Sequence, residues 1–256
     1  MKSLRFVFVS WKLQFKMIMR SPFDGIGNVI YPLFFATTAF FVFRAGSSPR
    51  TLIYASLGAA VMGMWSSVST SAGSAMQRER WHGTLELLVS APVHFATVLL
   101  PVTVAMSAMG LYSMVATLLL SRFVFGVDLP FEHPVAFGFA VVATVVSIGA
   151  MGFLLAVSFV RYRTAWALGN LLEYPVWLIA GFLVPLTLLP GWVRPISWLL
   201  APTWGVDAIR DAASGGAAWP EIAMALGLGA VYLTIGIAVL ETVLASARRA
   251  GSLALA

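Results

Sequence analysis

Long stretches without a charged side chain decide what this polypeptide can become. They run between Asp24 and Arg44, Arg50 and Arg78, Glu86 and Arg122, His133 and Arg161, Thr164 and Trp192, and Glu221 and Glu241, the fifth broken by Glu173. A bilayer core about 30 Å thick needs about 20 apolar residues per helix, and without water in it every backbone polar group must be satisfied internally. The composition agrees: 60% of the 256 residues are hydrophobic and 10% charged, against about 45–50% and about 25% in soluble domains. The expected fold is an all-α polytopic membrane protein with six transmembrane helices at 25–43, 52–76, 95–121, 134–160, 165–189 and 221–245. No internal repeat or linker divides the chain, so residues 1–256 form one membrane domain.

Six spans put both termini on one side. That side collects Lys2, Arg5, Lys12, Lys16, Arg20, Arg78, Arg80, Arg161, Arg163, Arg248 and Arg249, and the other keeps Arg44, Arg50, Arg122, Arg194 and Arg210. Eleven cations against five orient both termini to the cytoplasm of a cell membrane, because retained loops are the basic ones. The same distribution explains the net charge of +6 without nucleic acid, which needs an exposed basic face.

Residues 2–21 are apolar enough to resemble a span, but five cations interrupt them. At 100° per residue Lys2, Arg5, Lys12, Lys16 and Arg20 share an arc of about 80°, with Phe6, Trp11, Leu13, Phe15 and Ile18 on other faces. This pattern predicts an amphipathic helix lying in the plane of the membrane lipid. The same lysines argue against a cleaved leader, whose apolar core they would cut.

The stretch QRERWHGTLELLVSAP, residues 77–92, is the most charged part of the chain between two spans. Gly83 can end the helix extending from span two, Thr84 can cap a new one, and Glu86 falls in its first turn, where the helix dipole favours a carboxylate. Pro92 stops it. A short amphipathic helix outside the membrane suits a groove on another protein; an interfacial loop anchored by Trp81 and the arginines is the alternative.

Glu79, Arg80, Gly83, Thr84, Leu85, Glu86, Leu87, Leu88 and Pro92 form the pattern E-R-x-x-G-T-L-E-L-L-x-x-x-P. It resembles the hallmark of the type-two permeases of ATP-binding-cassette exporters, the daunorubicin-resistance-like group, where it marks the cytoplasmic coupling helix. The chain departs in carrying Trp81 and His82 between Arg80 and Gly83. Residues 185–211 are similar to the extracellular re-entrant segment of the same permeases between spans five and six, with P-x-x-x-L-P-x-W followed by Pro202, Thr203 and Arg210. Four prolines and three tryptophans in 27 residues preclude a spanning helix, although the stretch is too apolar for a free loop. The resemblance implies a transport subunit that exports drugs, lipids or other amphipathic molecules, or polysaccharides and glycolipids. It implies a separate nucleotide-binding ATPase subunit touching residues 79–88, and a second permease copy or paralogue. Spans one, two and five would border the path, which nominates Phe40, Met62, Trp65, Glu173 and Trp177.

The chain has no G-x-x-x-x-G-K-[ST] phosphate loop, so no cofactor is expected on it; ATP and Mg belong to the partner ATPase. No cysteine is present, and His82, His94 and His133 lack metal-ligand spacing. No catalytic constellation appears. Asp128, Glu132, Asp207 and Asp211 read as solvated charges outside the membrane. Glu173 lies about 12 Å along span five at 1.5 Å per residue, a depth where a carboxylate costs about 2.5–3.5 kcal/mol and must face protein or water. Contact with a cargo cation, a proton relay, or a pairing with Arg161, Arg163 or span one would each satisfy it. An ion-coupled transporter would need several such acids and broken, repeated helices; an anchoring protein would need no plugged outer segment.

Overall fold

The computed structural model describes residues 9, 11–13, 16, 30, 33–34, 36–38, 40–41, 49–81, 95–159 and 165–250. All regular structure among them is helical. The helices are α1 (Pro49–Trp81), α2 (Phe95–Leu119, continued by a π turn over Leu120–Val124), α3 (Pro134–Phe159), α4 (Ala165–Ile179), α5 (Val193–Trp198), α6 (Ala201–Ser214) and α7 (Ala218–Ala250). The described positions before residue 42 are also helical.

Among the described residues four stretches are long and apolar enough to cross a membrane: Thr51–Ser69, Ala96–Val124, Pro134–Ser158 and Ala218–Val243. They correspond to expected spans two, three, four and six. The expected spans one and in-plane helix fall largely outside the described residues. For span five, the helix stops at Ile179 instead of reaching residue 189. Gly181 (φ 74°) turns the backbone there, in a conformation that residues with a Cβ avoid. A single 3-10 turn at Leu186–Leu188 and the short α5 follow.

α1 is the central helix, packed by α2, α3, α4 and α6. Its inward side chains Leu57, Met62, Met64 and Trp65 are fully buried with Phe153, Phe182 and Ile148. Where helices meet, small residues let backbones approach, as expected when lipid offers apolar side chains no reason to leave it. Gly110 lies on Met64, Gly152 on Val68, and Gly229 on Ser147. α4 is peripheral. It packs along α1 and touches α5, and a Cβ on its Gly169 would overlap the Ser69 carbonyl.

The α5–α6 pair occupies one half of the bundle. Call the upper end that at which α1, α3 and α7 begin. Ala201 N–H donates to Tyr232 Oη (3.3 Å), and that hydroxyl donates to the Leu199 carbonyl. Tyr232 stands fourteen residues after Ala218, the start of α7, about 21 Å down the helix. Gly205 rests on Thr144, ten residues and about 15 Å down α3. At the other end of α6, Glu132 and His133 N–H donate to the Ala213 and Ala212 carbonyls (3.2 and 3.1 Å). α6 therefore climbs from the middle of the neighbouring helices to their upper end.

Candidate functional site

The residues nominated from sequence divide into three groups. Gly83, Thr84, Leu85, Glu86, Leu87 and Leu88, together with His82 and His94, lie outside the described residues. Glu79 and Arg80 sit on the last turn of α1. The helix carries Glu79 ten residues, about 15 Å, beyond Ser69, the end of its apolar stretch.

Of the remaining candidates, Glu173 and Trp177 lie on α4, Met62 and Trp65 on α1, and Phe40 apart from both. Ser66 Oγ on α1 hydrogen-bonds to the Glu173 carboxylate on α4, so a hydroxyl meets the acid and the two helices are joined midway. Trp177 is buried one turn above and packs edge-on against Tyr174 (centroids 4.9 Å, 72°). Met62 and Trp65 are 1% and 0% exposed; they belong to the core of this protomer, and a cargo could touch them only if helices part. Phe40 is buried against Phe125, the residue after the π turn that follows α2, in a parallel stack (3.9 Å, 8°). The five nominated residues thus do not line one surface.

What α4 does present outward is Leu171, Tyr174 and Leu178, all more than half exposed, at the spacing that puts side chains on one helical face. Pro175 lies on this face as well and brings no N–H to the Leu171 carbonyl. An exposed stripe with a phenol, a bare carbonyl and a half-buried carboxylate beside it is not a surface suited to hydrocarbon, where each unsatisfied polar group is costly.

A second cluster closes the upper end of α4, built on Arg210, which the family pattern contained without a role. Arg210 on α6 is buried and lies over the Tyr54 ring, its Cζ 3.3 Å from the centroid. Its Nη1 donates to Gly181 O (3.0 Å) and its Nη2 to Phe182 O (2.6 Å) and Tyr54 O (3.2 Å). Tyr54 Oη also donates to Gly181 O (2.8 Å), and Ser197 Oγ to Ile179 O (2.5 Å). Asp207 completes the set at 3.4 Å from the guanidinium. Gly58 makes the assembly possible, since a Cβ there would overlap Phe182 O and stand 2.6 Å from Arg210 Nη2.

This cluster corrects the reading of the acidic residues. Asp128 is solvated and paired with Arg122, and Glu132 is exposed, as expected. Asp207 and Asp211 are instead partly enclosed. Burial pushes the Asp211 carboxyl above the usual carboxylate range, against the pull of the Arg210 guanidinium. A helical count could have flagged Arg210: it shares a turn with Asp207 on a helix whose neighbours Val206, Ala208, Ile209, Ala212 and Ala213 are apolar. Among the described residues no three His, Asp or Glu side chains converge on a possible metal position.

The family model described as ABC-2 type transporter matches residues 5–213. No curated protein matches the chain.

Proposed function

The chain therefore belongs to the ABC-2 type transporter family, and we propose that it is the membrane subunit of an ATP-driven exporter of drugs, lipids or other amphipathic molecules. It is a multi-pass membrane protein, by family and by its four apolar helices. On this reading it sits in the cell membrane with both termini in the cytoplasm. It works as a pair of permease subunits with two separate ATPase subunits that bind ATP and Mg, and residues 79–88 are the contact that receives their motion.

One observation carries the reading: the outward face of α4. Leu171, Tyr174 and Leu178 are exposed beside Glu173 on a helix that has α1 as its main neighbour. A mostly apolar wall with one carboxylate suits an amphipathic molecule, which needs contact area and a few oriented polar groups. A second copy of the chain facing this wall would keep its polar groups away from lipid, and two-fold pairing is the commonest symmetry. The path would run between the two copies. α6, rising from mid-depth to the upper end, supports a re-entrant outer segment, since irregular backbone is tolerated at that depth only within protein.

The lever comes from α1. Its helix continues unbroken from the Arg210 cluster to Glu79 and Arg80, so force applied at the lower end reaches the upper end through one stiff element. A ligand shifts such a two-state balance only through its differential contact energy, so the docked loop must be firmly seated. The test is copurification of an ATPase subunit with the chain in detergent. Glu86→Lys and Leu87→Asp should each release it while the permease stays monodisperse; retention in both variants overturns the assignment of residues 79–88.

A further inference from the structure

We propose that Arg210 is a positioning residue that ends α4 inside the membrane and fastens it to α1 and α6, so that each protomer moves as one body. The part of this that concerns transport rests on the exporter reading; the fastening does not.

The depth comes first. Gly58 lies seven residues inside the apolar stretch that begins at Thr51, about 10 Å below its edge. Phe182 O and Arg210 Nη2 both lie against Gly58, so the guanidinium sits at that level. α4 spans fifteen residues, about 22 Å, and finishes short of the upper edge. A helix ending there exposes its last carbonyls and the negative end of its dipole to a layer without water. The turn itself serves three of them, Ala180 N–H donating to Val176 O (2.8 Å), Gly181 N–H to Leu178 O (3.2 Å) and Phe182 N–H to Trp177 O (3.3 Å), which leaves Ile179 O and the turn's own Gly181 O and Phe182 O.

Three side chains from elsewhere serve those remaining carbonyls. Ser197 serves Ile179 O, Tyr54 and Arg210 serve Gly181 O, and Arg210 serves Phe182 O. Arg210 alone reaches all three partners: the end of α4, the Tyr54 carbonyl of α1, and its own α6. The planar fork of arginine suits this, offering several donors in one plane and a face to stack on Tyr54. The cation also compensates the dipole. Both terminal nitrogens of the buried guanidinium have partners, with Tyr54 beneath the group, Asp207 beside it and carbonyls in front, while Nε has none.

The consequence is mechanical. Among the described residues α4 otherwise has one long neighbour, α1, and could swing away from the bundle at its upper end. Doing so would leave a buried cation and two carbonyls without partners in hydrocarbon, which is the costly way to break such a contact. Because Glu173 lies six residues before Ile179, the end of the same helix, fixing the top of α4 also fixes the register in which Glu173 meets Ser66. Opening then takes place between copies, and not between α4 and α1.

The chain contains no cysteine, so introduced pairs report alone. Spin labels at Leu178→Cys on α4 and Ser214→Cys on α6, diluted with unlabelled chain in nanodiscs, should give one narrow distance distribution by double electron–electron resonance. Arg210→Gln should widen it at least twofold or add a second peak. If Arg210→Gln is not recovered as a monodisperse protein, Arg210→Lys decides: lysine keeps the charge but cannot span the three segments, so broadening is again expected. An unchanged distribution in Arg210→Lys, or two populations in the parent protein, overturns the proposal. This arm needs no ATPase, so a missing partner defeats the exporter reading alone. With the ATPase and ATP present, the 178–214 distance should stay fixed while the distance between Leu178→Cys labels of two copies shifts; a shift of the 178–214 distance itself refutes movement as one body.

Discussion

α7 is long and apolar enough to cross a membrane and α4 is not, and the two solve the backbone problem in opposite ways. α7 is helical over 33 residues, with an apolar stretch at Ala218–Val243, so its backbone bonds in the layer close within the helix. Only 22% of that stretch is buried inside the protomer, against 72% for Thr51–Ser69 of α1, and α7 is free to meet lipid through Met224, Val231 and Ile235. α4 stops after fifteen residues; its turn closes backbone bonds to Val176, Trp177 and Leu178, and the carbonyls of Ile179, Gly181 and Phe182 depend on Ser197, Tyr54 and Arg210. A long helix is set by composition, whereas a short one is set by particular side chains at its end.

The largest break in this contrast is expected at Gly58. Gly58→Ala places a methyl group on the Phe182 carbonyl and crowds Arg210, so the cap and α1 cannot both keep their positions. Overpacking a core costs about 1–3 kcal/mol where side chains can adjust; here the obstacle is backbone, and a loss of about 3 kcal/mol or more is expected. The measurement is thermal unfolding in detergent. A Gly58→Ala protein as stable as the parent would show that α4 does not end against α1 as described.

The contrast also separates what was legible in the sequence from what was not. The apolar stretches of α1, α2, α3 and α7 follow from the charge-free runs, because length and hydropathy alone dictate a spanning helix. The end of α4 does not. Residues 180–189 are as apolar as those before Ile179, and the break depends on a glycine turn met by an arginine 29 residues further on. Charge counting placed Arg210 among the loop cations, since a tally knows charge but not partners. For Glu173 the depth was readable and the Ser66 hydroxyl was not, because helix rotation is a tertiary matter. Met62 and Trp65 were nominated by residue type, and burial in α1 shows that type does not distinguish a path from a core.

A smaller effect is expected where α7 touches the half-depth junction. Tyr232 Oη joins Ala201 N–H and the Leu199 carbonyl, the polar contact α7 makes with the start of α6. Tyr232→Phe removes both bonds and keeps the ring. Interhelical hydrogen bonds in membranes average about 0.6 kcal/mol, and leaving a buried N–H unpaired costs about 1–3 kcal/mol. A destabilisation of about 1 kcal/mol should follow, read as a lower thermal midpoint than the parent and a higher one than Gly58→Ala. If Tyr232→Phe were the worse of the two, the junction and not the arginine cap would hold the segment.

The smallest effect sharpens the lipid side of the comparison. Val231 and Ile235 are 48% and 46% exposed and four residues apart on α7, so they share a face. Against lipid, shortening either removes contacts that acyl chains replace, because tails are as apolar as the side chains they touch. Val231→Ala and Ile235→Ala should therefore change stability by less than about 0.5 kcal/mol, the range of surface positions, with no change in oligomeric state by native mass spectrometry. A loss several times larger, accompanied by dissociation, would mean that another protein helix covers α7. In that case the second copy would lie on this side of the bundle, and the exposed stripe of Leu171, Tyr174 and Leu178 on α4 would have to find a different cover for Glu173.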